Sequence, residues 1–309
     1  MATSSPRQRV RVMETVRIVF YTPIYAALAG GFWESEGLDV TFTTCSPPFP
    51  HAFAALNHGE ADIAQSGIMR SIIALDWGAE TVPAHSAKIN ARDGFLVLGR
   101  RPQEEFRWES FRGATVIPVG FTPMPWSSLR FALRRHGVDP GSLNLMAGLP
   151  LDQALAAFLK GEGDFIHLPQ PTAEELLASG QAHLAVALGP ENGHIAYSSF
   201  AASNRWLDAN QETAYRFVRG FAKALDWLSK NGAEIVTREV AAFFPQVEQG
   251  LVLKAVERYK AEGTWPVDPR LELPEYEGLQ RILIEAGLAQ HPQDYEKVVR
   301  PEFARAALA

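Results

Sequence analysis

The sequence predicts an α/β protein made of two similar lobes facing a shared cleft, and three observations carry that reading. A chain of 309 residues is long enough for two domains, and 47% hydrophobic with 21% charged residues is the composition of an ordinary globular protein. Apolar, β-branched runs alternate with helical stretches through the first two hundred residues, the order that yields parallel strands joined by covering helices. The segment Ala52-Phe-Ala-Ala-Leu-Asn-His-Gly-Glu-Ala-Asp-Ile63 returns as Ala154-Leu-Ala-Ala-Phe-Leu-Lys-Gly-Glu-Gly-Asp-Phe165. In both copies a helix stops at glycine, Gly59 or Gly161, and an aspartate, Asp62 or Asp164, leads straight into a strand. One copy per half places lobe 1 in residues 1–99 and 200–309 and lobe 2 in residues 100–199.

The elements follow in order. Residues 16–21 read as the first strand, because Val16, Ile18 and Phe20 alternate with Arg17, Val19 and Tyr21. Pro23 suits the first turn of the helix behind it, Gly37 stops that helix, and residues 38–42 form a second strand. Together they make one parallel crossover unit. Helices are expected at residues 51–57 and from 68 to 77, with a short strand at 63–64. Further strands are expected at 81–89 and 94–98, and residues 100–113, charged and poorly periodic, as the first crossing between lobes. The second lobe repeats the scheme, with strands at 114–118, 143–146, 165–167 and 183–188. Residues 195–201 return to the first lobe. Beyond Trp206 the pattern is helical: Phe217, Val218, Phe221, Ala224, Leu225 and Leu228 mark one long amphipathic helix, and the tail should pack outside lobe 1.

Several function classes are excluded. A net charge of -6 and the lack of an aromatic-plus-basic run argue against nucleic acid and anionic membranes as partners. Cys45 is the sole cysteine, so neither an internal disulfide nor a cysteine metal site is expected. His51 and His58, like His183 and His194, lack the spacing of a zinc helix, and no dinucleotide or P-loop glycine pattern occurs, so no metal and no cofactor is expected. Residues 1–14 are polar without the apolar core of an export signal, and no apolar run of about 20 residues exists. The chain as written is therefore expected in the cytosol, or in the periplasm or outside the cell if an export signal has been removed, with no stable membrane insertion.

In open parallel sheets ligands sit beyond the carboxyl ends of strands. That rule selects Tyr21, Thr22 and Tyr25, then Gln65, Ser66 and Gly67, then Lys88 and Arg92 in lobe 1. In lobe 2 it selects Gly120, Phe121, Thr122 and Met124, with His167 and Gln170, and Tyr197 at the return crossing. A cleft lined by helix N-termini favours an anionic or strongly accepting group, and the aromatics suit a small, planar organic ligand. An enzyme on the same scaffold would use His167 or Lys88 as general acid or base.

The stretch Pro23-Ile-Tyr-Ala-Ala-Leu-Ala-Gly-Gly-Phe-Trp-Glu-Ser-Glu-Gly-Leu-Asp-Val40 resembles a signature of the nitrate, sulfonate and thiamine-pyrimidine-type substrate-binding proteins. Gly59-Glu-Ala-Asp62 with Gln65-Ser-Gly67, Phe111-Arg-Gly113, Gly161-Glu-Gly-Asp164 and Trp265-Pro-Val-Asp268 are similar to its later blocks, so the likeness runs over most of the chain. The resemblance implies a two-lobed periplasmic-binding-protein fold of the second type, closing by hinge motion on a ligand such as a sulfonate or a thiamine-pyrimidine precursor, and an ABC importer permease as partner. It implies Tyr21, Thr22, Tyr25, Gln65, Ser66 and the Gly120–Thr122 loop as contacts. Some relatives are cytosolic enzymes, among them a pyrimidine synthase with a cysteine-rich stretch that this sequence lacks. A lyase, decarboxylase or pyrimidine-synthase-like activity is the alternative.

Overall fold

The first strand forms where arginines disguise it. In a computed structural model, which describes residues 7–102, 106–120 and 122–309, β1 is Gln8–Glu14. Val10, Val12 and Glu14 point inward, while Arg9 and Arg11 lie in solvent. The strand expected over residues 16–21 is corrected: this stretch leaves the sheet and closes a 3-10 turn at Val19–Tyr21, with Tyr21 N–H bonded to the Ile18 carbonyl at 3.0 Å. Helix α1 (Thr22–Ala29) and the short α2 (Phe32–Ser35) follow, and β2 (Leu38–Thr44) returns parallel to β1 from Gln8↔Leu38 to Glu14↔Thr44. The crossover is as expected, but its first strand ends at Glu14, and the seven residues 15–21 before α1 become the loop beyond a strand's carboxyl end.

Helix α3 (Ala52–Asn57), β3 (Ile63–Gly67), α4 (Met69–Asp76) and β4 (Ala84–Asn90) complete the first run. The chain crosses at residues 91–95, earlier than expected. Strand β5 (Leu96–Gly99) bonds antiparallel to strands of the second sheet, so it lies with that sheet although the expected first segment runs to residue 99. There follow β6 (Thr115–Ile117), α5 (Pro123–Arg135), β7 (Asn144–Leu145), α6 (Leu151–Leu159), β8 (Phe165–Leu168), α7 (Thr172–Ala178), β9 (His183–Ala187) and the short α8 (Leu188–Asn192). Strand β10 (Ser198–Ala202) re-enters the first sheet.

The sheet orders are β2-β1-β3-β10-β4 and β7-β6-β8-β5-β9, each with the returning strand antiparallel in fourth place. The sequence echo is therefore a structural repeat. Asp62 accepts from the Arg11 N–H of β1 at 2.8 Å, and Asp164 accepts from the Thr115 N–H of β6 at 2.8 Å. Each carboxylate seals the edge where a third strand joins a first.

The remaining chain is helical: α9 (Asn204–Ala209), α10 (Gln211–Lys230), α11 (Ala233–Val240), α12 (Gln249–Ala261), α13 (Leu273–Glu285), α14 (Tyr295–Val298) and α15 (Pro301–Ala307). Helix α10 lays Phe217 and Phe221 against Trp33 and Phe200, with Trp33 stacked 4.7 Å from Phe217 and its indole N–H on the Phe217 carbonyl. Burying such rings contributes most of what holds the helix to the sheet. Helices α12 and α13 also touch α7 and α5, so the tail bridges both lobes. No helix among the described residues is long and apolar enough to cross a membrane.

Candidate functional site

A cavity of about 440 Å³ opens between the two sheets, and it is built mainly from loops at strand ends. Residues 15–21 beyond β1 bring Thr15, Val16, Ile18 and Tyr21. The start of α3 brings His51. The end of β3 and the start of α4 bring Gln65, Gly67, Met69 and Arg70. From the second lobe come Thr122, Pro123 and Met124 at the head of α5, and the crossings add Phe95 and Tyr197. Of the residues selected from the sequence, Tyr21, Gln65, Gly67, Thr122, Met124 and Tyr197 thus line one hollow.

The other expected residues are placed elsewhere. Thr22 is fully buried and gives its hydroxyl to the Val19 carbonyl at 2.7 Å. The Tyr25 hydroxyl donates to the buried Glu14 carboxylate at 2.7 Å, which also takes Thr44 and Arg17, so Tyr25 anchors the end of β1 and does not line the cavity. Ser66 turns its hydroxyl to the Gly67 carbonyl. Lys88 is spent on Glu275, with Nζ 2.5 and 2.7 Å from the two oxygens in a nearly solvent-free pair. Gln170 folds onto Glu174 at 2.9 Å. Gly120 lines a shallower neighbouring hollow with Thr122 and Trp126, and Phe121 lies outside the described residues. His167 is buried against Phe95 with neither ring nitrogen hydrogen-bonded among the described residues, and burial pulls its pKa down to about 3. Neither expected acid-base residue, His167 or Lys88, reaches the cavity. Among the described residues no cluster could hold a metal ion.

Sequence reasoning missed Arg70 and His51. Arg70 sits in the first turn of α4, where the helix dipole disfavours a cation, and that misplacement was a legible signal. Among the described residues its guanidinium has no carboxylate partner, and burial draws its pKa below the ordinary arginine value. His51 is the N-cap of α3, a position where Ser, Asp or Asn is usual, and its Nδ1 accepts the Ala54 N–H at 3.0 Å. Burial first, and Arg70 second, lower its pKa to about 4, so the ring is neutral at pH 7. Among the described residues the cavity therefore offers one formal charge, positive, between largely apolar walls.

The cavity floor is tied to the crossings. Phe20 packs against Tyr21, Phe95, Tyr197 and Tyr259 with ring centres 5.2–6.3 Å apart. Its carbonyl receives both the Asn90 amide at 2.8 Å and the Trp265 indole at 2.9 Å. A larger depression of about 780 Å³ lies where α7 meets α12, but its Glu174, Arg258 and Glu262 already pair with one another, which makes it an interlobe contact.

Two five-stranded sheets of one topology, joined by crossings and enclosing a side-chain-lined cavity, make the two-lobed fold of the solute-binding proteins. The family model described as "NMT1/THI5 like" matches residues 20–235, and the chain belongs to that family. YtlA of Bacillus subtilis (strain 168), which carries the name of a binding protein, is 29% identical over 297 residues, covering 96% of this chain and 89% of YtlA. Two solved structures share the fold at low identity. The periplasmic aliphatic sulphonate binding protein SsuA from Escherichia coli superposes with TM-score 0.74 at 16% identity, over 99% of this chain and 100% of that one. The periplasmic nitrate-binding protein NrtA from Synechocystis PCC 6803 gives 0.71 at 14%, over 97% and 88%.

Proposed function

We propose that the cleft binds a small organic anion with an apolar body and delivers it to an ABC-type importer on the side of the membrane from which the solute is taken up. The observation that carries this reading is Arg70, a largely desolvated guanidinium without an anionic partner among the described residues, set in a cavity walled by Ile18, Phe95, Met69 and Met124. A buried charge is costly until a partner arrives, and a carboxylate or sulfonate would supply one. The apolar walls favour an organic body over bare nitrate. The names of SsuA and NrtA, both binders of oxyanions, agree with this class. Lobe closure about residues 91–95 and 188–197 would present a joint surface to the permease.

The test is a thermal-shift and calorimetric screen of aryl and alkyl sulfonates and carboxylates against amines and uncharged analogues of matched size. Binding among the anions that disappears in Arg70→Met supports the reading. A preference for amines, or tight binding by Arg70→Met, defeats it.

A further inference from the structure

Among the described residues, buried side-chain polar atoms without a hydrogen-bond partner gather where the chain crosses between lobes. Arg92 Nε and Asp93 Oδ2 lie on the outgoing crossing, Asn192 Oδ1 and the Tyr197 hydroxyl on the returning one, and Glu262 Oε2 just beyond α12. Asp93 is fully buried, and its other oxygen accepts the Phe95 N–H at 2.8 Å, so one bare carboxyl oxygen is sealed into the joint. The charges there do not balance. Glu262 pushes on Asp93, and Glu174 of α7 pushes on Glu262 from the other lobe. Against three carboxylates stand two guanidiniums: Arg258, 2.5 Å from Glu174 and 3.9 Å from Glu262, and Arg92. Lys254 and Glu257 lie on the exposed rim of the same hollow and offset each other. On the side of α5 and α8, the His136 ring and Glu191 close on one another at 2.8 Å. Burial pushes the Tyr197 and Tyr259 hydroxyls, which feel Asp93, well above the ordinary tyrosine value, and it draws His194, beside Arg92, below the ordinary histidine value. All three are therefore uncharged at pH 7. Burial, with the neighbouring acid adding to it, raises both Asp93 and Glu262 to about 7.

We propose that Asp93 and Glu262 form a proton-operated joint: with both carboxyls neutral the lobes keep the packed arrangement that encloses the cavity, and loss of those protons drives the joint apart until water reaches the acids. The physical reason is that two like charges in a dry contact repel each other and lose their hydration, whereas the neutral acids do neither. The contact has no slack to absorb that repulsion, since a Cβ added at Gly189 of the returning crossing would stand 2.5 Å from the Asp93 carbonyl. The joint goes beyond the anion-cleft reading. It rests on that reading only in one consequence, that a guest which holds the lobes packed draws protons from water as it binds.

Two measurements on the full chain decide it. The first is small-angle X-ray scattering of the ligand-free protein from pH 6 to pH 8. The radius of gyration should rise with pH in the parent. In the double variant Asp93→Asn with Glu262→Gln, whose amides keep the shape of the acids but do not titrate, it should stay at the pH 6 value. The variant leaves His136 and His194 in place, so their titration is not what is removed. A parent radius flat over this range, or an equal rise in the double variant, overturns the joint whether or not any guest binds. The second is isothermal titration with naphthalene-2-sulfonate, which is fully ionised throughout, in bis-tris and Tris buffers, whose ionisation heats differ. The parent should take up protons on binding and bind up to about 10-fold more weakly at pH 8 than at pH 6. That factor is the one for a single carboxyl that keeps its proton to about pH 7 when packed and to about pH 4 when hydrated. Both effects should vanish in the double variant. Binding without proton uptake overturns the link between joint and guest. A radius that responds to pH while the probe fails to bind upholds the joint and counts against the anion cleft.

Discussion

Replacing Arg70 by methionine should make the ligand-free protein more stable while disabling it. The guanidinium sits in the first turn of α4, against the helix dipole, largely out of water and without a carboxylate among the described residues. The dipole mismatch costs about 0.3–1 kcal/mol, and desolvation of an unpartnered cation adds to it. Methionine has comparable length, suits the adjoining Met69 and Met124, and carries no charge. The net gain should be about 1 kcal/mol, a rise of roughly 1–2 °C in Tm for a chain of 309 residues. Loss of a charge-assisted bond to the ligand should cost about 1.5–3 kcal/mol, or roughly 10- to 150-fold in Kd. Differential scanning calorimetry without ligand and isothermal titration with the best anion from the screen measure the two sides. A variant that melts lower than the parent yet binds as well would refute the reasoning, because Arg70 would then be a structural cation.

Lys88→Met should strand Glu275 in a nearly solvent-free site and lower stability by about 3–5 kcal/mol in urea titrations. The double change with Glu275→Leu should recover much of that, and anion affinity in the doubly changed protein should match the parent, since the pair is outside the cavity. Burial raises the Asp93 carboxyl to about 7, while the unfolded chain releases that proton near the ordinary value of about 4. The folded state thus holds the extra proton between those values, so this term favours folding below about pH 4 and is lost as pH rises to about 7. Asp93→Asn should therefore stabilise the protein by about 1–3 kcal/mol at pH 8 and by almost nothing at pH 4; a pH-independent effect in chemical denaturation would contradict the burial argument. Gly189→Ala should destabilise by about 1–3 kcal/mol, because an added Cβ would stand 2.5 Å from the Asp93 carbonyl, where the crossings touch; an unchanged unfolding midpoint would show that they can separate freely.

The architecture was readable wherever one residue type does one job. Gly59 and Gly161 take positive φ and end α3 and α6, and Asp62 and Asp164 then bond back to the first strand of each sheet, so the echo in sequence became an echo in space. The first strand was missed because arginine masked its alternation: Arg9 and Arg11 occupy the solvent face of a strand whose Val10 and Val12 are buried. The run at residues 16–21 carried the stronger β signal, yet it bends away to bring Tyr21 into the cavity, a case of tertiary context overriding local propensity. For the site, chain position identified the right loops but could not say which way side chains turn. Thr22, Tyr25, Ser66, Lys88 and Gln170 lie on or near those loops and are consumed by internal bonds. Partners such as Glu14 and Glu275 are distant or inconspicuous in sequence, so nothing in the local pattern announces them.

The double grip on the Phe20 carbonyl ties the cavity floor to the crossings. Asn90 belongs to the strand that runs into one crossing, Trp265 follows the helix that spans both halves, and the next residue after Phe20 is Tyr21. In the proposed binding reading, a guest that pulled on Tyr21 would pull at the same moment on the segments that join the halves. A molecule too short to touch that ring would rest inside with the doors ajar.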